Sequence, residues 1–408
     1  MMTSTSVATA QPPEETAIAS RRAWLAVLSV AIGSFNLVTN EFLPVGLITR
    51  IHQDLHVSEG TVGLMVTAPG VVAAISAPLL PVALRLLNRR IALLALSVVF
   101  VAADVLAAIA PNFPVMVVAR ALLGLGIGGF WAIAVGLGTR LVPKAVGQRA
   151  TSIIFGGISV GTVVGVPAGP LLGHALGWRG AFLVVAVLGL LPLALQAFLL
   201  PSLPVQKRIT FRSLSTLLKS RNARFGLLMT FFTITAQFSA YTFVAPFLEQ
   251  KTGASSGLIS ALLLVFAVAG IAGNFLTGYG LGRKVRPTVT AVMLVLGASA
   301  LMMPLAGRWE IGALVVLAVW GLAYGGAPVA MQTWLFKADA EAANESGSGM
   351  FVATFQGSIA IGSLFGGVIV DSASIQAAMY AGAVLAGAAV AVTVLFARTA
   401  DETQHRKP

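Results

Sequence analysis

Residues 23–48 read AWLAVLSVAIGSFNLVTNEFLPVGLI. Their length and hydrocarbon character suit a helix that crosses a bilayer, which needs about 20 apolar residues. Inside the run stand Asn36, Asn40 and Glu41. A carboxyl group at mid-bilayer costs on the order of 3 kcal/mol even on lenient insertion scales, so such acids face a cavity or a partner. Glu41 is therefore the first candidate for function.

The whole chain follows this run. Of 408 residues, 57% are hydrophobic and only 10% charged, with a mean hydropathy of +0.91, far from soluble averages. The composition predicts an all-α integral membrane protein. Cysteine is absent, which excludes disulfides, thiolate metal sites and cysteine nucleophiles. His52, His56, His174 and His405 all lie outside the apolar runs, which argues against a histidine proton relay or an intramembrane metal site. No metal or organic cofactor is expected, only a proton as coupling ion.

Charged and proline-rich breaks divide the chain into twelve apolar segments: about 23–49, 60–84, 91–110, 115–139, 150–173, 180–200, 225–248, 257–281, 288–306, 311–336, 347–370 and 377–397. Each is long enough to span as a helix, whereas barrel strands would be roughly ten residues of alternating character. If the amino terminus is cytoplasmic, that side receives 21 of the 26 basic residues and the other side four. This asymmetry predicts cytoplasmic termini, with residues 1–22 and 398–408 as tails. It also gives the +12 charge a role beside anionic lipid instead of nucleic acid.

The basic connection 201–224 separates two sets of six spans, 23–200 and 225–397. A shift of 197 residues lays one on the other: Gly124, Leu125, Gly128 and Gly129 fall on Gly321, Leu322, Gly325 and Gly326, and Gly165 and Gly169 on Gly362 and Gly366. Duplicated halves place a binding site near mid-membrane between them, exposed to each side alternately by rocking.

Glu41 and Arg120 sit at similar depth, roughly 10 Å below the outer boundary at 1.5 Å per residue. An ion pair between them would keep Glu41 ionised, and its separation would leave Glu41 to take a proton. Against this stands a structural role, with Arg120 snorkelling and Glu41 locking helices. Asp104 in span 3 lies at comparable depth and is a third candidate for proton coupling. Span 5 carries Gly157, Gly161, Gly165, Gly169 and Gly173, with Pro167 and Pro170 interleaved. A small residue every fourth position lets another backbone approach closely, and proline bends the helix, so this face suits either a moving interface or static close packing. Candidate substrate contacts are Asn36, Asn40 and Trp131 in the first half, and Gln237, Tyr241, Asn274, Tyr324, Gln332 and Gln356 in the second, with Trp334 beside them. Amides and aromatic rings bind neutral polar molecules by hydrogen bonding and stacking. Taken singly, such a residue more often makes a helix–helix hydrogen bond than a ligand contact; their joint placement raises the group above its members.

No P-loop, His-Glu-x-x-His or Gly-x-Ser-x-Gly sequence is present, so direct use of ATP and hydrolase chemistry lack their apparatus, and no enzyme activity is expected.

The stretches Asn40-Glu41-Phe42-Leu43-Pro44-Val45-Gly46-Leu47, Arg120-Ala121-Leu122-Leu123-Gly124-Leu125-Gly126 and GTVVGVPAGPLLGHALGWRGAF (161–182) resemble the major facilitator superfamily, in particular its twelve-span drug:proton antiporters. Gly128-Gly129-Phe130-Trp131 and the block from Trp320 through Pro328 to Trp334 are similar to purine ribonucleoside efflux permeases; chloramphenicol and arabinose exporters share much of this text. The resemblance implies a proton-coupling role for Arg120 and a conformational one for Gly161, Gly165, Pro167, Gly169, Pro170 and Gly173. It also implies that spans 1, 4, 7 and 10 line the cavity and span 3 lies outside, which argues against Asp104. The family's signature between spans 2 and 3 has an acid before its basic residues, whereas this chain keeps only Arg85, Arg89 and Arg90. A cytoplasmic gate that relies on the acid is thereby in question.

The expected function is a proton-coupled exporter of small organic molecules in the bacterial inner membrane, with lipid and substrate as its partners and a monomer as its form. A passive facilitator and a membrane sensor are the competing classes.

Overall fold

The computed structural model describes residues 20–84, 86–134, 137–204, 220–338 and 345–395. The tails, most of the 201–224 connection and Arg85 lie outside these residues. Helices account for nearly all of them, and among the described residues there is no strand.

Among the described residues ten helices are long and apolar enough to cross a membrane, or up to eleven with the bent pair Ala223–Tyr241 and Val244–Thr252 taken as one span. The remaining passage lies within Lys144–Leu199, 56 residues that are helical on both sides of a break at Gly177, φ 70° and ψ 169°. At 1.5 Å per residue an unbroken helix would be about 84 Å long, nearly three bilayer cores. Instead it turns back on itself. Before Gly177 the chain runs parallel to span 1, and after it Gly189 lies against Asn36 and Gln196 reaches the Ser29 carbonyl, which is antiparallel. A positive φ of this kind is what glycine tolerates and other residues resist. Counted this way, the passages are consistent with the expected twelve.

Span 1 differs from expectation. Its helix, Arg21–Phe42, stops seven residues early and passes through a 3-10 turn, Leu43–Gly46, into a short amphipathic helix, Ile48–Leu55. Pro44 is the cause, because it has no N–H with which to continue the helix. The later spans are Glu59–Val62 continued by Leu64–Ala83, then Arg89–Ala108 and Phe113–Ala134. The second half repeats the scheme with Arg221–Tyr241, Ser256–Arg283, Val285–Ala306, Glu310–Ala338, Glu345–Ser372 and Ile375–Leu395.

Small residues set the packing. Each glycine of the span 5 ladder lies against the residue 126 positions earlier: Gly157 on Ala31, Gly161 on Phe35, Gly165 on Thr39, Gly169 on Leu43 and Gly173 on Leu47. In the second half Gly362 lies on Thr235 and Gly366 on Ser239. Spans 2 and 4 meet at a separation of 55 residues, with Gly124 on Pro69 and Gly128 on Ala73. So do spans 8 and 10, with Gly321 on Phe266 and Gly325 on Gly270. The internal repeat therefore reaches down to individual backbone contacts. Matching Thr39 with Thr235 and Leu43 with Ser239 also sets Glu41 on Gln237 and Phe42 on Phe238.

Among the described residues the polar contacts between the halves gather toward one end. At the face away from residues 21 and 395, Asp371 accepts from Gly60 N at 3.0 Å and from Ser58 Oγ at 2.5 Å. Beside it Gln250 donates to Glu59 at 2.7 Å, and Ser363 donates to the Gly63 carbonyl at 2.9 Å. Two hydrophobic clusters there mix residues of both halves. Toward the terminal face the two remaining clusters each draw on one half alone. Among the described residues the molecule is thus clamped at the far face and divided at the terminal one.

Candidate functional site

Arg120 is buried in mid-span and needs acceptors. It finds them in carbonyls that two prolines release. In an unbroken helix the carbonyl of residue i accepts from the N–H of residue i+4. Pro44 and Pro69 have no N–H, so the carbonyls of Asn40 and Met65 lack their helical donors. Arg120 supplies both: Nη1 donates to Asn40 O at 3.1 Å and Nε to Met65 O at 2.9 Å. Nη1 also donates to Asn40 Oδ1 at 2.8 Å, and Nη2 to Glu41 O at 3.4 Å. Gly124, one turn on, lets span 4 approach Pro69 closely enough for these bonds; a Cβ there would stand 2.3 Å from the Pro69 carbonyl oxygen.

The expected Glu41–Arg120 ion pair does not form in this arrangement. Arg120 touches the backbone of Glu41, not its carboxylate, and among the described residues the one ion pair within 4 Å joins Arg179 to Asp54. The acid linked to Arg120 is Asp104, through Asn40, whose Nδ2 donates to Asp104 Oδ1 at 2.6 Å. Asp104 is 1% exposed and its Oδ2 is buried with no hydrogen-bond partner. The expectation that its span lies outside overlooked that a peripheral helix still has an inner face, here Leu96, Phe100, Ala103, Asp104 and Ala107.

Glu41 turns the other way. Its carboxylate accepts from Gln356 Nε2 at 3.1 Å, across the two halves. The next residue, Phe42, stacks on Phe238 with centroids 6.1 Å apart. Phe238 leads into an aromatic cluster: Tyr241 is stacked on Phe266 at 4.6 Å and on Tyr324 at 6.4 Å, with Trp320 edge-on at 6.1 Å. Gln237 Oε1 accepts from Trp320 Nε1 at 2.7 Å. Glu41, Phe42 and Tyr324 are only partly buried, although Phe42 and Tyr324 pack on the core.

Other expected residues are placed differently. Asn40 is committed at both ends of its amide, and Asn36 faces Gly189 of span 6 inside the first half. Trp131 stacks on Phe155 at 5.8 Å, also within that half. Asn274 and Gln332 are half-buried, each eight residues, about 12 Å, nearer the terminal face than Phe266 and Tyr324. Trp334 is buried with its indole N–H unpartnered. Pro167 and Pro170 are buried, and Pro170 packs on Gly46. Arg89 and Arg90 bond within the first half, Arg89 to the Leu84 carbonyl at 3.3 Å and Arg90 to that of Ala197 at 2.6 Å. Arg90 thereby caps the carbonyl end of span 6, a favourable place for a cation. Met65 and Pro69 escaped the sequence reading; the signal was a proline four residues after each carbonyl that Arg120 takes.

The profile of the Major Facilitator Superfamily matches residues 30–357, most of the chain. The chain belongs to the major facilitator superfamily. Among its relatives, the transcription regulatory protein OpdE of Pseudomonas aeruginosa is 37% identical over 380 residues, 92% of this chain and 94% of that protein. The purine ribonucleoside efflux pump NepI of Shigella sonnei is 34% identical over 379 residues, 92% and 94% of the two chains. NepI of Escherichia coli K12 is 34% identical over 357 residues, 86% and 89%. A solved structure of a bacterial homologue of the human lysosomal transporter Spinster, inward-facing and occupied, superposes with a TM-score of 0.72 at 16% identity, covering 92% of this chain and 96% of that one. This likeness concerns the fold. As a major facilitator the chain is a multi-pass membrane transporter and not an enzyme.

Proposed function

We propose that this major facilitator is a proton-coupled antiporter of the bacterial inner membrane that exports small organic molecules, purine nucleosides among them. The observation that carries the reading is the Glu41 carboxylate, which bridges the halves through Gln356 and lies one residue from the Phe42–Phe238 stack. The identity with purine ribonucleoside efflux pumps supports the substrate class. With both termini cytoplasmic, as the distribution of basic residues favours, the divided end of the molecule faces the cytoplasm, where an exporter collects its cargo. The two halves, 23–200 and 225–397, then rock about their contact, and a proton arriving at Glu41 from outside accompanies release of substrate. Arg120 holds the bend of span 1 in place, and Asp104 completes the buried polar group. One proton crossing 100 mV supplies about 2.3 kcal/mol, enough for roughly a fifty-fold gradient of a neutral solute. The protein works as a monomer in lipid.

The test is inosine flux in liposomes with and without an imposed pH gradient, comparing the wild type with Glu41→Gln. Gradient-driven accumulation in the wild type and its loss in the variant is the expected result. Flux that ignores the gradient assigns the chain to passive facilitators.

The name of the Pseudomonas relative favours a second reading, a membrane protein that acts on transcription. Among the described residues the helices between the spans are eight residues or shorter, too little for a soluble output domain. Export that changes the level of an inducing metabolite joins the two readings without one.

A further inference from the structure

Gln237 occupies the position in the second half that Glu41 occupies in the first, and its amide has a fixed sense. The indole of Trp320 can only donate a hydrogen bond, so the atom 2.7 Å from Trp320 Nε1 is the carbonyl oxygen of Gln237. The amide nitrogen points elsewhere. It is buried and has no partner, and the Tyr241 hydroxyl one turn along is in the same condition. Buried donors left unpaired cost about 1–3 kcal/mol each, a cost that a ligand would remove. The flat surfaces beside them are Phe238, Tyr241 and Tyr324, mutually edge-on or stacked with centroids 6.1–6.5 Å apart. Of these rings Phe238 and Tyr241 are buried, and Tyr324 keeps partly exposed surface.

We propose that Gln237 sets substrate specificity by offering only its N–H group, so that the site takes a planar ring with adjacent acceptors, a 6-oxopurine in preference to a 6-aminopurine. The O6/N7 edge of a 6-oxopurine presents two neighbouring acceptors, whereas the corresponding edge of adenine presents an acceptor beside a donor. A glutamine reads adenine with both ends of its amide. Here Trp320 takes one of the two lone pairs of the amide oxygen and fixes that oxygen toward the indole, so the unpaired nitrogen end suits the oxopurine acceptors better than the adenine pattern. Trp320 is accordingly a positioning residue that acts through Gln237. This inference rests on the nucleoside reading above and narrows it.

Equilibrium binding of radiolabelled inosine to the purified full chain, displaced by unlabelled inosine or adenosine, provides the test. Wild-type protein is expected to bind inosine about tenfold or more tightly than adenosine, the worth of one well-made hydrogen bond. Gln237→Leu should abolish the difference. Trp320→Phe keeps the ring surface but frees the amide to turn over, so it should bind both nucleosides with their affinities brought within about threefold; this second variant carries the test if the first does not fold. Equal binding by the wild type, or a preference untouched in Trp320→Phe, overturns the inference while the nucleoside reading stands. Binding of neither nucleoside overturns both.

Discussion

The amide nitrogen of Gln356 and the carboxylate of Glu41 lie on opposite halves of the molecule and stand 3.1 Å apart. A hydrogen bond to an ionised acceptor is roughly twice as strong as one between neutral groups. Protonation of Glu41 therefore loosens a contact that belongs to the state closed at the far face.

Removing the donor should have the same sense as adding the proton. Gln356→Ala is expected to shift the population toward opening at the far face. Because the chain has no cysteine, a single Ser363→Cys change, at a buried contact of that face, gives a clean reporter. Its labelling by an impermeant maleimide should quicken several-fold in the double variant relative to Ser363→Cys alone; an unchanged rate would remove Gln356 from the closing contacts.

The glycine ladder makes a graded prediction. A Cβ at Gly165 would stand 2.5 Å from the Thr39 Cα, and one at Gly157 would stand 2.2 Å from the Ala31 carbonyl oxygen; both obstacles are backbone. Gly165→Ala and Gly157→Ala should each destabilise by about 1–3 kcal/mol, as overpacking does. At Gly156 nothing lies within 4 Å, and Gly156→Ala should be neutral or gain about 0.5–1 kcal/mol from helix propensity. Thermal unfolding in detergent distinguishes the three.

Asn40 links a buried cation to a buried acid. Asn40→Ala strands one bond on each, and hydrogen bonds to charged groups contribute about 1.5–3 kcal/mol apiece. A loss of about 3 kcal/mol or more is expected in the unfolding free energy. A loss below 1 kcal/mol would mean that Arg120 and Asp104 repartner without it.

At the Gly177 turn, Asp54 accepts from Arg179 at 2.5 Å and from Trp178 Nε1 at 2.9 Å, and these bonds hold its carboxyl below the usual range. A group depressed in the folded state contributes stability above its unfolded pKa, about 3.9, and loses it as pH falls through the folded value. Both side chains are nearly half exposed, so the effect stays under about 1 kcal/mol. Asp54→Asn should therefore melt slightly below the wild type at pH 7, with the difference vanishing as the medium is acidified below pH 4.

Composition and apolar run length were enough to predict the class, an all-α membrane protein, because a bilayer imposes one length on every helix. The 197-residue shift was visible because the repeated glycines meet backbone, where no larger side chain fits. The partners of Glu41 and Arg120 were not. Depth alone put these two side by side, but they stand on different helices, spans 1 and 4, and only the folded arrangement turns the carboxylate toward Gln356 and the guanidinium toward Asn40. The prolines that prepare the Arg120 site read locally as bends, since a released carbonyl leaves no mark in the sequence of the helix that will claim it.

The correspondence of Glu41 with Gln237 has a bearing on descent. At matched places one half has an acid able to gain and lose a charge, the other an amide that never ionises. A protein with acids at both positions would load two protons symmetrically. Under the proposed function, energy transduction rests in one copy and discrimination among cargoes in the other, so selection acting on the second copy would change the cargo without touching the drive.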